Sequence, residues 1–301
     1  MKIPDINECR KRIIVVYSPG GGNGKSEIAA NLAFCLAAKG KRTWLLDSNL
    51  FAPTQDVIFG LQDPGPTFAE YIATNQTDRD IPLYDLSSAL PVWYSDLPLL
   101  LTPSRRDDPD VRFHLQERIN DGKNIFDRIP EVLFQTMQHN GIDTLIIDTY
   151  PGFDQINEVW LGLTEFLLIV SRMNDIDKEN LKVMLKDGNV ADVRRRLVVF
   201  NNVQLDSKRN AYKTMENHTF AENLTNIRNE ISNMMGSLKE DGGENNRIDI
   251  FNSPFLYSEE LARYSQEMMR NGLFVQNEPK NSFSQNVWDL TDYILDNGYI
   301  E

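Results

Sequence analysis

Cysteine is scarce in this sequence, and long apolar runs are absent. Cys9 and Cys35 are the two cysteines among 301 residues, and their spacing matches no metal-ligand pattern, which favours a reduced, cytoplasmic setting. Cys35 lies in an apolar helical pattern and is predicted to be core, whereas Cys9 is predicted to be a free surface thiol. The longest apolar runs, such as FLLIV at 166–170, are too short to cross a bilayer, so we expect no membrane span. The N-terminal residues also lack the apolar stretch of a secretion signal.

Basic residues are also fewer than acidic residues. The formal net charge is −13, which repels nucleic acid and anionic lipid unless a local basic patch overrides it. The C-terminal segment is amphipathic but acidic, unlike the basic helices that bind membrane surfaces. Arg194, Arg195 and Arg196 form a short basic cluster that is either a solvated, ion-paired face or a contact for DNA. DNA binding therefore stays open.

Strand-like and helix-like patterns alternate along the chain. Hydrophobic residues make up 41% and charged residues 25%, which is enough for a packed core. The alternation predicts an α/β fold, with a mostly parallel twisted sheet and helices on both faces. The predicted strands are 12–18, 42–47, 97–104, 142–152, 165–171, 195–203 and 247–255, and the predicted helices are 25–40, 124–141 and 177–188. We expect a short N-terminal tail at 1–11 and a single domain at 12–301.

A polar region at 204–246 has a helical pattern of its own. Apolar residues recur at steps of three and four, which predicts an amphipathic helix. These residues are Phe220, Leu224, Ile227, Ile231, Met234 and Leu238. The helix either lies on the sheet or binds a partner.

The stretch PGGGNGKS at 19–26 has the spacing of a phosphate-binding loop. It stands between a buried strand and a helix, where backbone N–H groups and the helix N-terminus can surround a phosphate. Lys25 can reach the terminal phosphates, and the Ser26 hydroxyl can ligate Mg²⁺. Pro19 replaces the first glycine of the usual G-x-x-x-x-G-K-S/T pattern, so the entry to the loop is stiffer than usual.

Two acids end strands that should lie near this loop. Asp148 follows the apolar run LII, and Asp47 ends TWLLD. Ligands of open α/β sheets bind at the carboxyl ends of the strands, so Ser26, Asp47 and Asp148 should converge there. The three residues are therefore the candidate Mg²⁺ site, with Asp148 acting through water.

Segments spread over most of the chain resemble, in order, the deviant-Walker P-loop ATPases of the MinD, ParA and Mrp-like group. The matching segments are SPGGGNGKSEIAANLAFCLAAKGKRTWLLD (18–47), DSNLFAPTQDVIFGL (47–61), LPLLLTPS (97–104), IDTLIIDTYPG (142–152), LTEFLLIVSRMNDID (163–177), LVVFNNV (197–203) and NSPFLYSEELARYSQEMMRNGLFV (252–275). Their order makes the resemblance more specific than the loop alone.

The resemblance implies a cytoplasmic protein that binds Mg·ATP, dimerises face to face around two nucleotides, and positions a cargo through a protein partner. It also implies that the dimer separates when the nucleotide is ADP. It implies nucleotide contacts from Gly20, Gly21, Gly22, Asn23, Gly24, Lys25, Ser26 and Glu27. It also implies that Asn201, or else Asn202, reads adenine and that Pro254 flanks the base.

Two departures from the family pattern predict slow or partner-dependent hydrolysis. Gly20 stands where the family has its signature lysine, so the cation that normally crosses the dimer is missing; Arg172 is a candidate substitute. Asn49 stands where the second acid of D-x-D orients the attacking water, while Asp47 matches the first acid. Lys25, Asp47 and Asn49 are thus the candidate catalytic residues. Positioning proteins of the TadZ/CpaE and McdA types also lack the lysine.

Three other functions remain open. A non-hydrolysing nucleotide-binding scaffold would agree with Gly20 and Asn49. A metal-cluster carrier of the Mrp branch would need a C-x-x-C near the C-terminus, which this sequence does not contain. A capsule-type tyrosine kinase would need a C-terminal tyrosine cluster, where this chain has Tyr293 and Tyr299.

Overall fold

The computed structural model describes most of the chain. The described residues are 6–50, 52–61, 65–74, 79–88, 96–104, 111, 113–114, 117, 125–152, 155–206, 211–213, 220–238, 247–264 and 273–300. The strands are β1 (Ile13–Tyr17), β2 (Thr43–Asp47), β3 (Tyr84–Asp85), β4 (Leu99–Thr102), β5 (Thr144–Asp148), β6 (Phe166–Ser171), β7 (Arg195–Phe200), β8 (Gln204–Asp206), β9 (Ala211–Lys213) and β10 (Arg247–Ile250).

Helices alternate with the strands, as the sequence pattern predicts. They are α1 (Ile6–Arg10), α2 (Lys25–Ala38), α3 (Gln55–Ile58), α4 (Phe68–Thr74), α5 (Ile125–His139), α6 (Gln155–Leu163), α7 (Asp175–Leu185), α8 (Gly188–Ala191), α9 (Phe220–Leu238), α10 (Glu259–Tyr264), α11 (Phe274–Asn277) and α12 (Ser282–Asp296). Within the described ranges, no helix is long and apolar enough to cross a membrane.

The described strands form one eight-stranded sheet and a separate hairpin of β8 and β9. The order in the sheet is β10-β7-β6-β1-β5-β2-β4-β3, and every pairing is parallel except that of β3 with β4 at the edge. The predicted α/β class with a mostly parallel sheet is confirmed. β1 lies at the centre, between β5 and β6, so the loop that follows it opens at the middle of the carboxyl edge.

Apolar side chains cover both faces of the sheet, because parallel strands are buried on both sides. All five residues of β1 are buried, and they alternate between two separate cores. Helices α5, α6, α7 and α9 contribute to one core, and α2 and α12 contribute to the other. This packing holds the carboxyl ends of β1, β2 and β5 beside the N-terminus of α2.

The polar region confirms one sequence prediction and decides between its two interpretations. Helix α9 spans the predicted amphipathic pattern, and Leu224, Ile227 and Ile231 are buried in the core. The apolar stripe therefore lies on the protein itself, and the partner-binding interpretation is wrong for these three positions. Residues 207–210, 214–219 and 239–246 of the region lie outside the described residues.

Cys9 corrects the prediction of a surface thiol. Residues predicted to be tail form α1, and this helix places Cys9 in the core with 1% of its surface exposed. Its five residues are too few to show a helical period in the sequence. Cys35 is fully buried, as predicted, in the core on the other face of the sheet. The division into a tail and one domain stays a prediction.

Candidate phosphate-binding site

The loop between β1 and α2 turns through two glycines in left-handed conformation. Gly22 has φ of 73° and Gly24 has φ of 78°, values that side chains rarely adopt. A Cβ on Gly24 would lie 2.1 Å from Asn201 Nδ2, so this position also has no room for a side chain. Helix α2 begins at the next residue, and its N-terminus with its unpaired N–H groups therefore faces the loop.

The loop forms one wall of a cleft of about 720 Å³, a volume typical of small-molecule sites. The cleft is lined by Ser18, Gly20, Gly21, Gly22, Asn23, Gly24, Lys25, Ser26, Glu27, Asn49, Ala52, Pro53, Thr54, Asp56, Val57, Ile58, Tyr150 and Pro151. All eight loop residues proposed as nucleotide contacts are among them. Among the described residues that line the cleft, Lys25 is the one cation, beside the acids Glu27 and Asp56, so the loop N–H groups supply much of any attraction for an anion.

Lys25 and Asp148 form a buried ion pair. Lys25 Nζ lies 2.9 Å from Asp148 Oδ1, and the two side chains are 7% and 0% exposed. The other carboxylate oxygen, Oδ2, accepts a hydrogen bond of 2.8 Å from Gln55 Nε2. Both oxygens of Asp148 are therefore engaged, and the Lys25 ammonium group, which has three donors, also lines the cleft.

Asp47 organises the loop between β2 and α3. Its Oδ1 accepts from the backbone N–H of Asn49, and its Oδ2 accepts from those of Thr54 and Gln55, all at 3.0 Å. Burial, reinforced by the neighbouring Asp148, raises the pKa of Asp47 to about 8 even though these hydrogen bonds favour the charged form. Asp47 is fully buried and does not line the cleft. These three bonds hold Asp47 within the loop and away from the cleft lining.

Asn49 lines the cleft, but its amide is committed to the same loop. Asn49 Nδ2 donates to the Ala52 carbonyl at 2.6 Å, and Asn49 Oδ1 accepts from the Ala52 N–H at 3.0 Å. The side chain shapes the loop in this arrangement. Each of the two amide atoms uses one hydrogen-bonding position in this arrangement and keeps a second position with which it could bind a water.

The residues implied to bind adenine do not line the cleft. Asn201 Nδ2 instead donates to the Asn23 carbonyl at 2.8 Å, so Asn201 braces the phosphate loop from the end of β7. Asn202 is exposed with φ of 57°, and Pro254 is buried, its carbonyl accepting from Asn286 Nδ2 at 2.6 Å. The structure therefore brings Asn201 to the loop and leaves Asn202 and Pro254 away from the cleft lining.

Arg172, the candidate substitute for the missing lysine, lies beside the loop. Its Nε contacts Asp177 Oδ2 at 2.8 Å, and its side chain is 39% exposed. Asp177 Oδ1 in turn lies 4.0 Å from the point that a Cβ on Gly20 would occupy. The Arg172–Asp177 pair is thus a neighbour of the position where the side chain is missing.

The oxygen atoms around Ser26 suit a hydrated Mg²⁺, which prefers oxygen ligands and keeps several waters. Ser26 lines the cleft, and Asp148 lies under it. Thr54 Oγ1 and Gln55 Oε1 are buried oxygens that have no hydrogen-bond partner in the described part of the chain. Sequence reasoning missed Thr54 and Gln55; their one signal was their place in the segment after Asp47.

The described residues do not support a metal centre bound by cysteine thiolates. The described residues contain no group of three or more His, Cys, Asp or Glu side chains placed to hold a metal ion. Cys9 and Cys35 belong to the cores on opposite faces of the sheet, and burial raises the pKa of the Cys35 thiol. The two sulfurs therefore cannot share one metal centre.

The basic cluster at the start of β7 offers little charge to a partner. Arg196 is fully buried, which lowers its pKa to about 10. Arg194 pairs with Glu165 at 3.0 Å. Of the three arginines, Arg196 is thus buried and Arg194 is held in an ion pair, so DNA binding stays a prediction that is open.

Comparison with known proteins agrees with this description. A family model described as "ParA: NUBPL iron-transfer P-loop NTPase" matches residues 10–90. An iron-sulfur cluster carrier protein from Aquifex aeolicus is 27% identical over 206 residues, which are 68% of this chain and 46% of the relative. The chain thus spans less than half the length of that relative.

Solved structures share the fold over nearly the whole chain. The cell division ATPase MinD of Pyrococcus furiosus has a TM-score of 0.62 at 15% identity, covering 95% of this chain and 99% of the other. The septum site-determining protein MinD of Pyrococcus horikoshii, solved with Mg-ADP, has a TM-score of 0.57 at 15% identity, covering 94% and 95%. The chain therefore has the α/β fold of these MinD proteins, with a mostly parallel sheet, and its sequence is similar to that of Mrp-type carriers.

Proposed function

We propose that this chain binds Mg·ATP in the cleft, dimerises when ATP is bound, and positions a cellular cargo through a protein partner. Hydrolysis to ADP is slow unless a partner contributes groups. One observation carries the proposal: the glycine loop, Lys25 and Ser26 together line a cleft of nucleotide size at the N-terminus of α2. The Mg-ADP in the Pyrococcus horikoshii MinD supports a nucleotide as the ligand.

Lys25 is the residue through which a bound nucleotide would rearrange the contacts of Asp148. A terminal phosphate competes with Asp148 for the ammonium group, since both are anions and the pair is buried. When Lys25 leaves, Asp148 Oδ1 becomes available to the waters around Mg²⁺. Ser26 would ligate the ion, and Asp148 would hold its water shell. Mg²⁺ would supply neutralisation of charge on the phosphates.

We expect slow turnover because few of the described residues that line the cleft are cations. Lys25 is the one cation among the described lining residues, and Gly20 offers no side chain to a transferring phosphoryl group. Asn49 cannot accept a proton, and its amide is held by Ala52. Stabilisation of the transferred charge is a large part of phosphoryl-transfer catalysis, so a partner or a second protomer must supply it.

Dimerisation would use the mouth of the cleft. Val57 lines the cleft and is 44% exposed, so it would lie in the contact if a second protomer faced the bound nucleotide.

Calorimetry combined with light scattering tests the proposal. Purified protein should bind ATP and ADP, and ATP should shift the mass from monomer to dimer. Lys25→Ala should abolish both effects, whereas Lys182→Ala, a surface lysine on α7 paired with Glu179 and Glu230, should leave both unchanged. Absence of ATP and ADP uptake by the wild-type protein would refute the proposal. Uptake without turnover under any condition would favour the non-hydrolysing scaffold.

Metal-cluster carriage is the second candidate, because the Aquifex aeolicus relative bears that name. The positions of Cys9 and Cys35 argue against it, since both are buried and they lie on opposite faces of the sheet. Anaerobic reconstitution with iron and sulfide checks this directly. A stable cluster absorbance at stoichiometric iron would support carriage and overturn our preference.

A further inference from the structure

Gln55 connects three elements of the candidate site. It is the first residue of α3 and is fully buried. Its backbone N–H donates to Asp47 Oδ2 at 3.0 Å, and its side-chain Nε2 donates to Asp148 Oδ2 at 2.8 Å and to the Ser26 carbonyl at 3.1 Å. One side chain thus joins the end of β5 to the first turn of α2.

These contacts fix the orientation of the Gln55 amide. A carboxylate oxygen and a carbonyl oxygen both accept hydrogen bonds, so the NH₂ group must face them. The side-chain Oε1 therefore points the other way, and it has no partner among the described residues. A buried amide oxygen without a donor is costly, since the same atom would bind water in the unfolded chain.

A second buried oxygen without a hydrogen-bond partner among the described residues belongs to the preceding residue in the sequence, Thr54. Thr54 Oγ1 is also buried without a partner in the described part of the chain, and Thr54 lines the cleft. Both atoms can accept hydrogen bonds. The waters around Mg²⁺ are strong hydrogen-bond donors, so they complement such a pair of acceptors. A ligand that lacks donors would not satisfy them.

We propose that Gln55 is a positioning residue of the magnesium site, which holds Asp148 with its amide nitrogen and accepts from a magnesium-bound water with Oε1. The inference rests on the proposed nucleotide-binding function. Gln55 contacts neither phosphate nor metal in this role. It acts through Asp148 and through a water. Loss of such supporting contacts commonly lowers metal affinity by about 10- to 100-fold.

The test separates magnesium affinity from nucleotide affinity. ADP binding to wild type and to Gln55→Met is measured by calorimetry in EDTA and across a Mg²⁺ titration. We expect ADP affinity in EDTA to change less than twofold, and the Mg²⁺ concentration for half of the magnesium-dependent gain to rise about tenfold. An equal loss with and without Mg²⁺, or no change in either, would overturn the assignment.

Asn31→Leu is the matched control. Asn31 is another fully buried amide, on α2, that bonds the Glu27 carbonyl and the Val275 N–H away from the oxygens described above. We expect it to lower the Tm without moving the magnesium midpoint. A similar tenfold shift in Asn31→Leu would mean that general destabilisation explains the result, and the assignment would be wrong.

If Gln55→Met does not fold, NMR of the wild-type protein replaces it. The Gln55 side-chain NH₂ resonances should move when Mg²⁺ is added to protein already saturated with ADP in EDTA. Resonances that stay in place would overturn the proposal. Failure of wild type to bind ADP at all would instead refute the proposed function, so the two failures are distinguishable.

Discussion

Lys25 Nζ lies 2.9 Å from Asp148 Oδ1, in an ion pair that the protein removes almost wholly from water. The pair joins the phosphate loop to the strand beside it, and it occupies the two charged groups that a magnesium nucleotide would need. In the candidate site, the charges of Lys25 and Asp148 therefore neutralise each other. In the proposed function, a bound phosphate would compete with Asp148 for the Lys25 ammonium group.

The energy of this pair can be measured without any nucleotide. Lys25→Met leaves the Asp148 carboxylate buried without its cation, so it should lower the free energy of unfolding by about 3–5 kcal/mol. The double variant Lys25→Met/Asp148→Asn should recover most of that loss, because both charges are gone. Urea unfolding of the two variants provides the values. A loss below about 1 kcal/mol in the single variant would show that the pair resembles a surface ion pair instead.

Asp47 should make stability depend on pH. Its pKa rises from 3.8 in the unfolded chain to about 8 in the folded protein, so the folded state holds a proton that the unfolded state releases. The contribution of Asp47 to the free energy of unfolding is fully present below about pH 4 and is lost as pH rises towards 8. Asp47→Asn should remove this part of the decline, and unfolding at several pH values measures it. The exposed Asp289→Asn should keep the wild-type slope, and an equal slope in Asp47→Asn would contradict the assignment.

Gly24 should tolerate no side chain. Gly24→Ala combines a φ of 78° with a Cβ 2.1 Å from Asn201 Nδ2, so it should cost about 1–3 kcal/mol and reduce nucleotide binding at least tenfold. Gly40→Ala is the control, because φ there is 86° but no atom lies within 4 Å of the added Cβ. It should lose stability through backbone strain alone and bind nucleotide normally. Equal nucleotide affinity in the two variants would contradict the tight packing of Asn201 against the loop.

Arg172 should favour ATP over ADP if it replaces the missing lysine. Its ion pair with Asp177 is partly exposed, so Arg172→Ala should cost at most about 1 kcal/mol of stability. The ratio of ATP to ADP affinity should fall severalfold, because the γ-phosphate would lose a nearby cation. Arg194→Ala, which removes an ion pair with Glu165 on another surface, should not change the ratio. Calorimetry with both nucleotides gives the answer, and an unchanged ratio in Arg172→Ala excludes this role.

The central strands and the loop could be predicted from the sequence, since burial on both faces produces continuous apolar runs and the glycine–lysine–serine spacing is local. The uses of Asp47 and Asn201 could not be predicted. Asp47 accepts hydrogen bonds from the backbone N–H groups of Asn49, Thr54 and Gln55, which follow no periodic pattern in the sequence. Asn201 meets Asn23 across 178 positions of the chain. Gln55 was missed for the same reason, because its side-chain partners, Asp148 and Ser26, come from two other elements. Cys9 was misplaced because a five-residue helix gives too few residues to show a period.

A crystal structure of the protein with Mg²⁺ and a non-hydrolysable ATP analogue tests the central claim most directly. The account predicts that Lys25 Nζ has left Asp148 and contacts a phosphate oxygen, with Ser26 Oγ on the metal and the loop N–H groups around the phosphates. A structure in which the analogue lies elsewhere, or in which Lys25 still contacts Asp148 beside a bound triphosphate, would contradict it.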